Sequence, residues 1–265
     1  MNKNYLDINR NSWNNRVDAH LQSEFYDVPS FKSGKNSLNE IELKLLGDVK
    51  GKSLLHLQCH FGQDTLSLAR LGAKALGVDL SDKAVAAATM LNSELGLDAR
   101  FICCDVYDLP NQLNEQFDVV FTSYGTIGWL PDLDKWAYVV KNHLRKGGKF
   151  VMAEFHPVVW MFDDNFEKIA YPYLNRGVIV ENETGTYADR EASINQDYMM
   201  WNHGLSEVIG SLLKQGLQLE SFEEFDYSPY NCFLKTVEKE PGKFFIEHLE
   251  AKIPMVYALE MTRDK

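Results

Sequence analysis

The stretch that decides the fold reads LLHLQCHFGQD over residues 54–64. It starts as an apolar strand, passes through a turn that contains Gly62, and continues into a helical pattern of apolar residues. A second apolar run closes on Asp79, 17 residues after Gly62. In an open parallel sheet, the first turn holds one end of a ligand, and an acid after the second strand binds ribose hydroxyls. The sequence therefore predicts an adenosine-binding site at the carboxyl ends of two neighbouring strands.

On both sides of this turn, short apolar runs alternate with helical segments, which favours a mostly parallel sheet covered on both faces. The predicted strands span residues 53–57, 73–78, 99–103, 117–122, 149–155, 217–225 and 255–262. The predicted helices span residues 6–27, 64–71, 81–95, 133–144 and 205–214. Another helix is expected from Ser37 to about Gly47, because Ser37 and Glu40 have the spacing of a capping box.

A chain of 265 residues can bury one large core, so a single domain is expected. Its predicted parts are an N-terminal cap (residues 1–36), a ligand-binding core (37–156), a lid (157–203) and a C-terminal helix with two strands (204–265). Trp13 and Phe25 of the cap are expected to face inward. The lid segment lacks helical periodicity but is rich in aromatic residues. A segment of this kind in a compact domain is typically a functional lid or a small added sheet.

The composition is that of an ordinary globular protein, with 45% hydrophobic and 25% charged residues. The net charge of -11 would repel a phosphate backbone, so nucleic acid is not an expected partner. The N-terminus lacks the apolar stretch of a signal peptide, and no segment has the apolar length of a membrane span. A cytoplasmic location is expected.

The cysteines contain no CxxC pair and are predicted to be reduced thiols of the core; they are Cys59, Cys103, Cys104 and Cys232. His56, Cys59 and His60 lie close together in sequence, which raises the question of a metal site. Alternation along a strand would send His56 and Cys59 to opposite faces. No metal is therefore expected.

Residues 37–155 and the final strands resemble the class I S-adenosylmethionine-dependent methyltransferases of the small-molecule type. The turn resembles that family's first motif, an acid followed by three alternating glycines. Here His56 stands at the acid position, and Gln58, His60 and Gly62 stand at the glycine positions. The resemblance implies an α/β fold with a doubly wound sheet of seven strands in the order 3-2-1-4-5-7-6, strand 7 being antiparallel. It also implies S-adenosylmethionine as the cofactor.

The resemblance assigns the cofactor to residues that follow the first four strands and to the cap. Asp79 would bind the ribose, and Asp105 the adenine amino group, unless Asp105 only caps a helix. Gln58 and His60 would bind the methionyl carboxylate or amine through their side chains, or would merely satisfy backbone groups of the turn. The predicted cofactor-binding residues are Gln58, Cys59, His60, Gly62, Asp79, Leu80, Asp105, Val106, Ser123, Trp13 and Tyr26. Trp13 and Tyr26 would place aromatic faces near the sulfonium, although Trp13 equally suits the core.

Methyl transfer is an in-line displacement, and a general base is needed only when the acceptor loses a proton. His156 is the preferred candidate because it directly follows the fifth strand; Tyr124 is a second candidate, and His20 is a weaker one. The aromatic lid would form the pocket of a small-molecule acceptor. Acidic residues outnumber basic ones in this segment, which suits either a cationic acceptor or, more simply, a solvated surface.

Two other functions use a similar layout. A nicotinamide-dependent oxidoreductase would need the GxGxxG spacing, which is absent, and would leave Asp105 unexplained. A non-catalytic protein that binds S-adenosylmethionine or S-adenosylhomocysteine is compatible with the altered first motif. Its pocket would have no open route from the methyl carbon to solvent or to a second cavity.

Overall fold

The computed structural model describes residues 4–264 and is built around a mostly parallel sheet. The strands are Ser53–Leu57 (β1), Lys74–Asp79 (β2), Arg100–Cys103 (β3), Phe117–Ser123 (β4), Leu144–Phe155 (β5), Ile179–Thr184 (β6), Asn195–Met200 (β7), Leu217–Phe225 (β8), Thr236–Glu240 (β9), Lys243–Ile246 (β10) and Val256–Arg263 (β11). Seven of them form the central sheet in the order β3-β2-β1-β4-β5-β11-β8. β11 runs antiparallel to both of its neighbours, β5 and β8. The predicted strand order and the antiparallel last strand are confirmed.

Helices cover both faces of the sheet. They are Asn4–Gln22 (α1), Val28–Lys32 (α2), Glu40–Leu46 (α3), Gln63–Arg70 (α4), Asp82–Glu94 (α5), Leu109–Gln112 (α6), Leu133–His143 (α7) and Leu205–Lys214 (α8). On β1, Leu55 and Leu57 point into a buried cluster that includes residues of α7 and α8. Leu54 points to the opposite face, into a cluster with residues of α3. This alternation is the period of two that a strand imposes on its side chains.

Several boundaries differ from the predictions because tertiary contacts decide them. The predicted helix at residues 6–27 is too long: α1 ends at Gln22, and α2 begins only at Val28, after Asp27 in a left-handed conformation. The predicted capping box at Ser37 is wrong: α3 starts at Glu40, and the carboxylate of Glu42 accepts a hydrogen bond from the Asn39 backbone N–H. Ser37 instead donates its hydroxyl to Asp64 at 2.7 Å.

The thiol of Cys103 is not in the core. β3 is an edge strand, and Cys103 is exposed at its carboxyl end, whereas Cys59 and Cys104 are buried as predicted. Two hairpins, β6–β7 and β9–β10, lie outside the main sheet. The first belongs to the aromatic segment after β5 and is the small added sheet expected there.

The cap and the β6–β7 hairpin are joined into a roof, defined here as residues 4–32 and 179–200. The side chain of Asn9 on α1 makes two hydrogen bonds of 2.8 Å with the backbone of Met199, one as donor and one as acceptor. The guanidinium of Arg16 bonds to Glu183 on β6 at 2.7 Å. Both contacts link segments more than 160 positions apart in sequence, so the roof forms only in the folded chain.

Among the described residues, none of the helices has both the length and the apolar character needed to cross a membrane.

Candidate active site

A cavity of about 880 Å³ lies between the carboxyl ends of the parallel strands and the roof. This volume is in the upper part of the range of ~300–1,000 Å³ found for ligand pockets. The lining combines the turns after β1 to β4, the cap, the segment after β5 and residues 229–234. All eleven predicted cofactor-binding residues line this one cavity, as does Tyr124. The structure thus brings together side chains that the sequence places as far apart as Trp13 and Ser123.

The turn after β1 keeps the backbone of a glycine motif although only one of its three glycines remains. The φ angles are 56° at Gln58, 51° at His60 and 80° at Gly62, so all three glycine positions adopt the left-handed conformation. The left-handed conformation costs each of the two non-glycine residues about 1–2 kcal/mol. At Gly62 there is also no space for a side chain, because a Cβ atom there would lie 2.7 Å from the ring of Phe101. The one glycine that remains is therefore the one that sterics require.

Asp79 anchors the turn and presents a carboxylate to the cavity. One oxygen accepts from the backbone N–H of His60 at 2.7 Å, and the other accepts from that of Ser81 at 2.8 Å. A carboxylate has about four lone-pair sites, so both oxygens can still accept from a ligand hydroxyl. Burial raises the pKa of Asp79 to about 6, and the backbone hydrogen bonds oppose that rise.

Asp105 follows β3 and, like Asp79, both accepts a backbone hydrogen bond and faces the cavity. Its side chain accepts from the backbone N–H of Tyr107 at 3.1 Å and so caps a short 3₁₀ helix. The residue is only partly buried and lines the cavity together with Leu80 and Val106. Asp105 therefore caps this helix, and its second carboxylate oxygen remains available to a ligand.

Two polar atoms of the turn are buried and have no hydrogen-bond partner among residues 4–264. Gln58 donates its amide N–H to the carbonyl of Thr126 at 2.8 Å, but its Oε1 is unpaired. His60 receives or gives a hydrogen bond at Nε2, but its Nδ1 is unpaired. An unpaired buried polar atom costs about 1–3 kcal/mol, and both residues line the cavity. A bound ligand is the natural partner for both atoms.

An acid that the sequence analysis did not single out lies beside the turn. Asp64 at the start of α4 accepts from the hydroxyls of Ser37 and Ser123, at 2.7 and 3.3 Å. Burial raises its pKa, and these two hydrogen bonds oppose the rise. His56, at the motif's acid position, is neutral because burial lowers its pKa to about 3. Although position 56 has no carboxylate, one therefore lines the cavity beside the turn at Asp64, eight residues later.

Tyr124 lies at the end of β4 and forms a buried pair with Glu42 of α3. Its hydroxyl donates to the Glu42 carboxylate at 2.9 Å, and Glu42 is fully buried. Burial and the nearby carboxylate raise the pKa of Tyr124 well above its usual range, and burial raises that of Glu42. Tyr124 also packs against Tyr230, with ring centroids 5.0 Å apart.

His156 lies outside the cavity lining, contrary to the prediction from its place after β5. Its backbone N–H continues the sheet by donating to Met255, next to β11. The ring therefore lies over β11, where Nε2 is 2.9 Å from Glu224 of β8 and Nδ1 accepts from the backbone of Val158. The continued pairing turns the side chain away from the cavity, so His156 is not retained as a base.

Aromatic residues of the roof, together with Trp129 after β4, surround a buried cation that the sequence analysis missed. The guanidinium of Arg16 is 5.2 Å from the ring centroid of Trp13, 5.5 Å from that of Trp129 and 5.4 Å from that of Tyr198. Such contacts stabilise a cation by about 0.5–2 kcal/mol. The spacing of Trp13 and Arg16, three positions apart on one helix face, was the available signal.

Residues 229–234 were also missed, because nothing in their local pattern indicates that they reach the cavity.

Within residues 4–264, no group of three or more His, Cys, Asp and Glu side chains is arranged to hold a metal ion.

Residues 54–148 match the protein family described as methyltransferase domain. An uncharacterized methyltransferase of Synechocystis sp. is 31% identical over 131 residues, which are 49% of this chain and 59% of that protein. A ubiquinone biosynthesis O-methyltransferase of Chromobacterium violaceum is 24% identical over 159 residues, which are 59% of this chain and 63% of that protein. The chain thus spans about three fifths of the length of these curated relatives.

Solved structures share the fold over nearly the whole chain. The geranyl diphosphate C-methyltransferase of Streptomyces coelicolor superposes with a TM-score of 0.63 at 15% identity, covering 99% of this chain and 98% of that one. A putative S-adenosylmethionine-dependent methyltransferase from Listeria monocytogenes gives a TM-score of 0.58 at 21% identity, covering 84% of this chain and 95% of that one. The matched domain and the shared sheet confirm the fold that the resemblance implied, that of the class I S-adenosylmethionine-dependent methyltransferases.

Proposed function

We propose that this chain transfers the methyl group of S-adenosylmethionine to a small-molecule acceptor, by O- or N-methylation. The observation that carries the proposal is that one continuous cavity joins the acids after β2 and β3 to the aromatic residues of the lid. A cofactor and an acceptor can therefore share one cavity. Among the relatives is a ubiquinone biosynthesis O-methyltransferase, and among the structures a methyltransferase is named for the small molecule geranyl diphosphate.

The residues present fit S-adenosylmethionine. Asp79 would accept hydrogen bonds from the ribose, and Asp105 from the adenine amino group. The unpaired Gln58 Oε1 and His60 Nδ1 would pair with the methionyl end. Asp64 supplies a buried negative charge near the turn, suited to the ammonium group. When bound, the cofactor supplies a methyl group on a positively charged sulfur.

The chain's own task is to align the acceptor and to exclude water, which together can lower a barrier by several kcal/mol. The rings of the roof residues Trp13 and Tyr198, together with that of Trp129, cover the cavity. Tyr26 and Tyr187 close the side near α2. A positively charged centre is stabilised near such aromatic faces.

A hydroxyl or ammonium acceptor must also lose a proton, and the Tyr124–Glu42 pair suits this step. The raised pKa of Tyr124 makes a free tyrosinate unfavourable. A relay avoids it: the acceptor's proton moves to the Tyr124 oxygen while the Tyr124 proton moves to the Glu42 carboxylate. Tyr124 then stays neutral, and Glu42 ends protonated, which its buried site favours.

The alternative is a non-catalytic protein that binds the cofactor or its demethylated product. That function would suit a pocket closed around the cofactor alone. The continuity of the cavity with the lid residues Trp160, Phe162 and Tyr171 favours the enzyme.

The test measures binding and turnover separately. S-adenosylhomocysteine is expected to raise the melting temperature, and Asp79→Ala to abolish the shift because it removes the ribose partner. Asp98→Ala, a change of an exposed acid, is the matched control and should keep the shift. Turnover is then measured as S-adenosylhomocysteine released from S-adenosylmethionine across a panel of small hydroxyl and amine metabolites. An absent shift at millimolar ligand contradicts the proposal, and a shift without turnover on any acceptor favours the binding protein.

A further inference from the structure

A chain of hydrogen bonds runs from the lid through α1 to the turn after β1. His20 Nε2 is 3.1 Å from the hydroxyl of Thr186, and His20 Nδ1 is 2.8 Å from Nε2 of His60. His20 is fully buried. The ring of His60 is also enclosed, with centroids of Trp13 and Phe61 at 5.1 and 4.5 Å. Three segments distant in sequence therefore meet at one line of polar atoms.

The direction of each hydrogen bond in this line is fixed at its lid end. The Thr186 oxygen accepts from the backbone N–H groups of Ala188 and Asp189, at 3.0 and 3.1 Å. A hydroxyl has two acceptor sites and one donor, so both acceptor sites are used. The Thr186 proton is left for His20, and Nε2 of His20 must be the acceptor.

The positions of the ring protons on His20 and His60 follow because both imidazoles are neutral. Burial lowers the pKa of His20 to about 2 and that of His60 to about 3, and the nearby Arg16 guanidinium lowers both further. A neutral imidazole carries one proton. Since Nε2 of His20 accepts, its Nδ1 carries the proton and donates to Nε2 of His60. His60 in turn carries its proton on Nδ1, the buried atom that has no partner in the described chain.

We infer that Thr186 and His20 are positioning residues that hold His60 as an Nδ1–H donor, and that this donor binds the carboxylate of the methionyl group. The inference rests on the proposed cofactor. The ribose has Asp79 and the adenine has Asp105, both on the β2 and β3 side, whereas His60 extends towards α1 and Arg16. The carboxylate is the anionic group of the cofactor, and a neutral N–H donor near a guanidinium suits it. In this arrangement His60 cannot act as a base, because its one free nitrogen already carries the proton.

The tautomers are tested first, in the protein without ligand. Histidine ¹⁵N–¹H correlation spectra, assigned with His60→Gln and His20→Gln, should show the proton on Nδ1 in both rings. A proton on Nε2 of His60 would reverse the chain and overturn the inference. This measurement does not depend on whether the protein binds a cofactor.

The ligand is tested by calorimetric titration with S-adenosylhomocysteine and with 5′-methylthioadenosine, which lacks the amino-acid end. His20→Phe keeps an aromatic ring but no polar atoms, and should weaken S-adenosylhomocysteine binding about tenfold or more while leaving methylthioadenosine unchanged. His143→Phe, the same change at a buried histidine of α7, should alter neither. If His20→Phe does not fold, Thr186→Val serves, since it removes only the hydroxyl that sets the direction. Equal loss for both ligands, or no loss, overturns the inference, whereas wild-type protein that binds neither ligand refutes the proposed function instead.

Discussion

Replacing Gln58 by glycine is expected to give a protein about 1 kcal/mol more stable than replacing it by alanine. Both substitutions remove the side chain and its hydrogen bond to Thr126, so those losses cancel in the comparison. Only the backbone differs. Gln58 has a φ of 56°, where an L-residue with a Cβ is disfavoured by about 1–2 kcal/mol. Glycine's greater freedom in the unfolded chain returns about 0.4–1 kcal/mol of that difference.

The control is the same pair of substitutions at Met90. This residue lies in the interior of α5 and its side chain is 66% exposed. In a helix interior glycine is about 1 kcal/mol less favourable than alanine. The glycine variant should therefore be the more stable of the pair at position 58 and the less stable at position 90.

Urea denaturation of the four variants measures the difference, provided that the slopes agree and the unfolded states are comparable. In a thermal melt, 1 kcal/mol corresponds to roughly 2–4 °C for a chain of this size. If Gln58→Ala is as stable as Gln58→Gly, or more so, then the backbone at this position is not left-handed. The turn would then not follow the backbone path of a glycine motif at position 58.

Two further predictions concern the chemistry of the site. Because burial raises the pKa of Asp79 to about 6, the affinity for S-adenosylhomocysteine should be constant above pH 7 and fall about tenfold per unit well below pH 6, as the ribose acceptor is protonated. The stability of the free protein should respond to Asp79 in the opposite sense. The pKa of Asp79 is about 6 in the folded protein and about 4 in the unfolded chain, so between these two pH values the folded state binds more protons. Asp79 therefore favours folding most at low pH, and this contribution is lost as the pH rises to 6. Asp79→Asn should remove both trends, and unchanged pH profiles would contradict the assignment. Once an acceptor is known, Tyr124→Phe should lower kcat by about 10²–10⁴-fold in a steady-state assay without weakening cofactor binding. His156→Gln, which changes a residue outside the cavity, should leave kcat within a few-fold of the wild-type value. If His156→Gln has the larger effect, His156 is the base instead.

The strand positions were predictable because each strand carries its own signal, whereas the order of the strands in the sheet came from the family resemblance. The apolar runs at β1, β2 and β4 and the acids that follow β2 and β3 occur in the order that a doubly wound sheet requires. The helix at residues 205–214 and the strand at 217–225 were placed correctly for a similar reason, since Gly216 separates two distinct periodicities. Local patterns are sufficient where local forces decide the structure.

The errors arise where a distant contact decides. Ser37 and Asn39 both offer a capping side chain, and the choice depends on Asp64, which bonds to Ser37 from another helix. His156 was expected in the cavity because it follows a strand, but its backbone pairs with Met255, about one hundred residues later, and its ring contacts Glu224 instead. Neither contact leaves a mark in the local sequence.

The loss of motif glycines and the presence of the roof are connected through His60. A glycine at that position would follow the same backbone path without strain, but it would have no side chain to reach α1. The ring of His60 contacts those of Trp13 and Tyr26, at 5.1 and 5.6 Å, and hydrogen-bonds to His20. Each aromatic contact contributes about 0.5–1.5 kcal/mol, which is of the same order as the strain of about 1–2 kcal/mol. The contacts of the imidazole therefore offset the cost of its own backbone conformation. The same contacts connect the turn that would hold the cofactor to the cap and to the lid.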